Sequence, residues 1–391
     1  MIESHSYFNY TNPIMYLQTN WRIIMSRSVY GNSFRVSTWG ESHGKGIGVV
    51  IDGCPSGLPL EEDHIQLYLD RRKPGQNQYS TPRKEDDKVQ ILSGIFEGRT
   101  TGTPISLVVY NKDQRSKDYS DIASYYRPGH ADYTYDAKYG FRDYRGGGRA
   151  SGRETTARVA AGAIAASILK ELGIEVYAYT KSIGPISINY ENCKKEQAKK
   201  SPLVMPDLEA SLKAQDYILQ HKEAKNSVGG VIECIVTGMP AGIGEPVFDK
   251  LDAALAKAIM SIGAVKGIEF GDGFAVALSN GAENNDSFYY DEDKNLRKAS
   301  NHAGGILGGL SDGSEIILRA AIKPTSSIEQ TQRTVNKNME NIDIQIEGRH
   351  DPIIVPRAVV VVESMVAITL VDYLFMGMTS RIDKIKNFYS N

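Results

Sequence analysis

The sequence predicts an α+β protein in which two related halves pack sheets around shared long helices. Three observations lead there. β-type apolar runs alternate with Gly-rich turns, the pattern of short strands rather than of a helical bundle. Residues 51–58 (IDGCPSGL) are echoed by 236–243 (VTGMPAGI), each after an apolar run and before a helical pattern, over about 59–72 and about 246–262. Further on, Gly94, Ile95, Phe96, Gly98, Gly102 and Ile105 return at the same spacing as Gly305, Ile306, Leu307, Gly309, Gly313 and Ile316. An Arg-bearing loop then precedes a long apolar stretch in both cases, near Arg149 with 159–172 and near Arg349 with 359–375. Signals recurring in one order imply halves at about 33–180 and 226–375, with a pseudo-two-fold axis near the functional site. Residues 191–225, rich in Lys and Glu with Pro202 and Pro206, read as an exposed connection without chemistry.

At 391 residues, with 41% hydrophobic and 24% charged residues, the chain has the composition of a folded globular protein. A net charge of -2 offers no general attraction for nucleic acid or anionic membrane, so an anionic ligand must be met locally. The most apolar stretch, 358–371, is interrupted by Glu363 and reads as too short to cross a bilayer. The first 24 residues lack the basic cluster and apolar run of a signal peptide, and Cys54, Cys193 and Cys234 show no CxxC pair. A cytoplasmic protein with three reduced thiols is expected.

Arginine is distributed unevenly. Fourteen of 20 lie in the first 158 residues and none between Val159 and Leu296. Guanidinium forks beside glycines suit phosphate and carboxylate, and point to a polyanionic small molecule. In YRGGGRASGRE (144–154), Ser151 and Glu154 have capping-box spacing, with a helix expected from Gly152 to Gly173. Gly146, Gly147, Gly148 and Arg149 then stand at a helix start, where N–H groups and the helix dipole favour an anion. The loop lacks GxGxxG spacing and follows no apolar strand, which disfavours a dinucleotide fold. Of seven His, four sit in Gly or Pro loops beside ionisable partners: His43, His130, His302 and His350. Together they imply loops converging on an acid/base site, with Asp351 a candidate base. No HxxxH, HExxH or Cys/His pair offers metal-ligand spacing.

Three long strings then carry a family resemblance: WGESHGKGIGVVIDGCPSG (39–57), RPGHADYTYDAKYGFRDYRGGGRASGRETTARVAAGA (127–163) and GRHDP (348–352). NHAGGILGG (301–309) and KPTSSI (323–328) reinforce them. In these motifs the chain resembles the chorismate synthase family from about Ser26 to Phe375. The resemblance implies that family's β-α-β sandwich, with antiparallel sheets around long helices, and a homotetramer. It also implies conversion of 5-enolpyruvylshikimate 3-phosphate to chorismate by 1,4-elimination of phosphate and a ring proton, dependent on reduced FMN. A length without a large insertion implies an external flavin reductant rather than self-reduction by NADPH. Residues 1–24 lie outside the family pattern, and 25–391 read as one domain.

Site roles follow from the same resemblance. His43 corresponds to the histidine that protonates the departing phosphate, and His130 to the one that protonates or stabilises the reduced flavin. Asp351 corresponds to the acidic residue implicated in ring-proton removal, together with the flavin N5. Arg72, Arg127, Arg153 and Arg349 match substrate-binding arginines. Arg149, Ala150, Ser151, Gly263, Ala264, Gly308, Lys323, Pro324, Thr325, Ser326, Ser327 and Arg349 match FMN-contacting positions. The chain departs from the family at Lys73 and Gln78, where Arg is common, and at Gly263, often Asn. Arg71 and Arg83 are the expected substitutes in the arginine clamp.

Overall fold

The computed structural model describes residues 28–81, 85–112, 121–346, 348 and 351–390. Residues 1–24, Arg83, Arg349 and His350 lie outside the described residues. The first sheet has the spatial order Val29–Tyr30, Arg35–Gly40, Gly46–Asp52, Ile105–Tyr110, Val89–Ser93, and all neighbours are antiparallel. The second runs Ile186–Ser187, Glu175–Ile183, Gly230–Thr237, Ile316–Ile322, Val265–Phe270, again antiparallel throughout. If the four main strands of each half are counted along the chain, both sheets place the fourth between the second and the third. Glu62–Arg72 and Leu251–Met260 are the helices between the second and third strands, and Thr155–Glu171 and Val355–Met376 follow the fourth. The repeat expected from the glycine spacing is thus a repeat of topology. By sheet membership the second half begins at Glu175.

The sequence builds these layers for simple reasons. Ile316, Leu318, Ala320 and Ile322 alternate with more exposed residues, so one strand face meets the helices and the other does not. Gly53 and Gly238 occupy equivalent turns with φ of 85° and 77°, a left-handed conformation that glycine adopts without cost. Thr155–Glu171 is rich in Ala and buried nearly all round, because it lies between the first sheet and the other helices. Small side chains let the two long helices approach closely. A Cβ added to Gly162 would overlap Ser364 of Val355–Met376. Gly162→Val is therefore expected to cost at least the ~1–3 kcal/mol of an overpacked core, seen as a lower urea midpoint with an unchanged slope.

Polar groups fix the layers to each other. Asp372, buried in the second long helix, accepts the backbone N–H groups of Asn32, Ser33 and Phe34 at 2.9, 2.6 and 2.9 Å. Glu363 of the same helix accepts Ala178 N–H at 2.8 Å and pairs with Arg71 at 2.7 Å.

Three expectations are corrected. The apolar stretch at 358–371 belongs to a helix of 22 residues, Val355–Met376, which by length and composition alone could cross a membrane. Its residues from Val359 to Tyr373 are buried within the protein, so its apolarity serves the core between the sheets. Glu363, which interrupts the hydropathy, is neutralised by Arg71 rather than terminating the helix. Residues 191–225 are not merely an exposed connection. They include the helix Leu208–Glu223, capped by Asp207, and bury Leu203, Met205, Ala214 and Ile218 completely. Finally, Ser151 caps a 3-10 turn, Gly152–Glu154, through Arg153 N–H, and the α-helix begins at Thr155. No reciprocal capping box forms, because Glu154 accepts Thr38 Oγ1 at 2.9 Å and Arg158 Nε at 2.7 Å.

Candidate active site

Two histidines flank one glycine turn. Gly146 and Gly147 have φ of 61° and 86°, in the region that disfavours any side chain with a Cβ. A Cβ on Gly146 would overlap the His43 ring, and one on Gly147 would stand 2.9 Å from His130 Cε1 and 3.1 Å from Nε2. Glycine at both positions therefore lets the rings lie directly against the turn. His43 Nδ1 is 3.2 Å from Ser42 Oγ. His130 Nδ1 is 2.9 Å from Asp132 Oδ1. Burial works to raise the Asp132 carboxyl, but hydrogen bonds and charge from Arg127 and His130 outweigh it and hold it well below the usual carboxylate range.

A second cluster adjoins the first. Asn111 donates to the carbonyls of Glu41 and Gly44, which flank His43, at 3.1 and 2.9 Å. Its Oδ1 accepts Arg153 Nε at 2.9 Å. Arg153 and Arg72 share the carboxylate of Asp87, one oxygen each. The Asp87 side chain is wholly buried, and those of Arg72 and Arg153 are 3% and 10% exposed. Burial opposes the charge on Asp87, but the two guanidinium groups bring its pKa below the ordinary value. Two cations on one anion leave a surplus positive charge in a poorly hydrated place, reduced on one side by Glu85 at 3.6 Å from Arg153. Arg357 Nε donates to Arg72 O at 3.0 Å, and its Nη1 pairs with Asp351 Oδ2 at 2.6 Å. The other Asp351 oxygen accepts Thr81 N–H at 2.8 Å. Hydrogen bonds thus run without a break from the His43 loop to Asp351.

The second half closes the site from the other side. Lys323 Nζ donates to Gly129 O at 2.6 Å. Ser326 lies where a Cβ on Gly129 would be 3.2 Å away. Thr325 Oγ1 donates to Asp351 O at 2.9 Å. Lys323 N–H donates to Ala264 O at 2.9 Å, and Ala264 has φ 71°. Arg158 reaches from Glu154 to Ser261 Oγ at 2.6 Å, beside Gly263. Pro324 and Ser327 lie in the same loop.

The structure therefore brings together His43, His130, Asp351, Arg72, Arg127, Arg153, the segment Arg149 to Ser151, Gly263, Ala264 and the loop from Lys323 to Ser327. Arg149 donates to Thr38 Oγ1 at 2.7 Å and to the carbonyls of Thr38 and Gly40 at 3.2 Å, which fastens the glycine turn to the first sheet. Gly308 is placed apart. Its hairpin meets the start of Leu251–Met260, with Leu251 N–H on Gly309 O at 2.8 Å, whereas Ala264 follows the end of that helix. The strand Ile316–Ile322, about 20 Å long at ~3.3 Å per residue, runs between this hairpin and the loop at Lys323. His302 is likewise distant, paired with Asp272 at 2.6 Å. Arg71 is paired with Glu363 at 2.7 Å.

A cavity of about 720 Å³ opens beside His43, walled by Lys45, Tyr110, Asn111, Lys112 and Arg145. Its basic groups suit an anion. A second hollow, about 540 Å³ near Leu60 and Ile91, carries Glu61, Glu62 and Asp63 and none of the site residues; its charge repels one. Sequence reasoning missed Asp87, Asn111, Asp132 and Arg357. Asp132 stands inside the quoted run RPGHAD and could have been found two residues after His130.

The family model described as chorismate synthase matches residues 34–375. The chain is 69% identical over 365 residues to the chorismate synthase of Lachnoclostridium phytofermentans, covering 93% of this chain and 100% of that one. It is 52% identical over 366 residues to that of the archaeon Methanocaldococcus jannaschii, covering 90% and 97%. A crystal structure of a chorismate synthase superimposes with a TM-score of 0.71 at 31% identity, covering 92% of this chain and 97% of that one.

Proposed function

The chain belongs to the chorismate synthase family, a family of carbon–oxygen lyases acting on a small molecule, and from that premise we propose that it converts 5-enolpyruvylshikimate 3-phosphate to chorismate with reduced FMN bound. The single observation that carries this is the hydrogen-bonded run from the His43 loop through Asn111, the Arg153–Asp87–Arg72 cluster and Arg357 to Asp351. The substrate carries a phosphate and two carboxylates, which match the excess of guanidinium groups. Residues present fit both anionic ligands. Among the described residues Arg72 Nε is buried without a hydrogen-bond partner, and Arg153 Nη2 has only the Glu85 carboxylate at 3.6 Å, so donor capacity remains for a ligand anion.

In the elimination, the C–O bond to phosphate breaks with its electron pair. The ring C–H bond breaks with loss of a proton, and its pair completes the new conjugated double bond. His43 protonates the departing phosphate, offsetting the charge that develops there. Asp351, held by Arg357 and the Thr81 amide, takes part in removal of the ring proton. Arg72 and Arg153 hold the substrate anions, and the segments Arg149 to Ser151 and Lys323 to Ser327 would hold the flavin. Reduced FMN, when bound, supplies electron density to the electron-poor allylic system as the C–O bond breaks.

We also propose that the reaction takes place in the cytoplasm, on a homotetramer whose flavin is reduced by an external reductant. Exposed Phe248, Phe274 and Leu278, at 90%, 86% and 91%, support association of copies. One assay tests the reading: anaerobic incubation with substrate and dithionite-reduced FMN, following phosphate release and chorismate absorbance. Turnover is expected only with reduced flavin, and none with NADPH in air. Turnover without flavin, or none with it, would reject the proposal.

A further inference from the structure

We propose that Asp132 is a positioning residue of this site, which orients His130 and Arg127 together and fixes the ring nitrogen on which neutral His130 carries its proton. The kinetic part of the test rests on the function proposed above; the geometry does not. Asp132 opens the helix Asp132–Tyr139, yet its side chain turns back into the preceding loop. It accepts Arg127 N–H at 3.1 Å, Arg127 Nε at 2.7 Å, Arg127 Nη2 at 2.7 Å and His130 Nδ1 at 2.9 Å. The carboxylate is 3% exposed.

Donor and acceptor roles point to one tautomer. Asp132 Oδ1, Arg127 Nη2 and His130 Nδ1 form a near-equilateral triangle with sides of 2.7, 2.9 and 3.0 Å. An ionised carboxylate only accepts, and a guanidinium only donates. A bare Nδ1 could accept from Arg127 Nη2 at 3.0 Å, but it would then set its lone pair against the ionised Oδ1 at 2.9 Å. A protonated Nδ1 donates to Oδ1 and removes the conflict. Nε2 is then the lone-pair nitrogen, and it is the edge that faces Gly147, on the turn shared with His43. The loop itself has other anchors, since Lys323 donates to Gly129 O and His130 N–H to Arg127 O at 3.2 Å. Removing the carboxylate should therefore release the ring more than the backbone.

The experiment uses the full chain with labelled histidine and reads ring-nitrogen NMR shifts at a pH where His130 is neutral, with His130→Gln identifying the signal. Wild type is expected in the Nδ1–H form, and Asp132→Asn as the Nε2–H form or a mixture. In the anaerobic assay Asp132→Asn should lower kcat about 10- to 100-fold, the range found when the partner that orients a metal-bound histidine is removed. In a His130→Gln background the same substitution should cost clearly less than in the wild type, because the share of its effect carried by the ring is already lost and only the share carried by Arg127 remains. A wild-type Nε2–H signature, an unchanged tautomer in Asp132→Asn, or fully additive kinetic losses would overturn the proposal. Should wild type prove inactive in the assay, the function reading fails while the NMR arm still decides this one.

Discussion

His43→Ala is expected to lower turnover by roughly 10²- to 10⁴-fold, the range for loss of a general acid, with substrate binding largely kept. The ring lies against Gly146, with Ser42 Oγ at its Nδ1, and the cavity beside it is lined by Lys45, Lys112 and Arg145. Those neighbours supply positive charge for binding but do not occupy the position of the ring. The loss should therefore fall on kcat rather than KM. Stopped-flow phosphate release under anaerobic conditions, beside equilibrium titration of the substrate, separates the two. Unchanged turnover would remove His43 from the chemistry.

Asp87→Ala should make the protein markedly easier to unfold. Arg72 and Arg153 would lose the carboxylate they share, leaving buried guanidinium charge without its counterion. Breaking a buried pair in this way costs about 3–5 kcal/mol, measured as a fall in the urea midpoint at neutral pH. The pH dependence has a definite sign. Asp87 has a folded pKa below its ordinary value, so its contribution is complete above the unfolded value near ~3.9 and is lost as pH falls through the folded one. The gap between wild type and variant should thus be largest near neutrality and narrow in strong acid. An equal gap at all pH values would mean that packing, not charge, is what Asp87 contributes.

Much of the fold was legible because its signals are local. Turn glycines such as Gly53 and Gly238, strand alternation in Ile316–Ile322 and the Ala-rich character of Thr155–Glu171 each follow from a few neighbouring residues. The membrane-length helix was misjudged from hydropathy because Glu363 looked like an interruption. Its partner Arg71 lies in a different helix, and only their contact makes the charge tolerable.

The sequence by itself determined the repeated sheet-and-helix units, the arginine-rich glycine turn and the histidine loops, since backbone conformation and residue chemistry there depend on adjacent residues. Tertiary structure alone decided which of these meet. Arg153 finds Asn111 and Asp87 from 42 and 66 residues away, Thr81 finds Asp351 across 270, and Arg357 finds Arg72 across 285. It also set Gly308 apart from the loop at Lys323. Such pairings depend on strand order and on how two long helices pack, and no local pattern of residues encodes a partner that the chain reaches only when both sheets have closed on the helices between them.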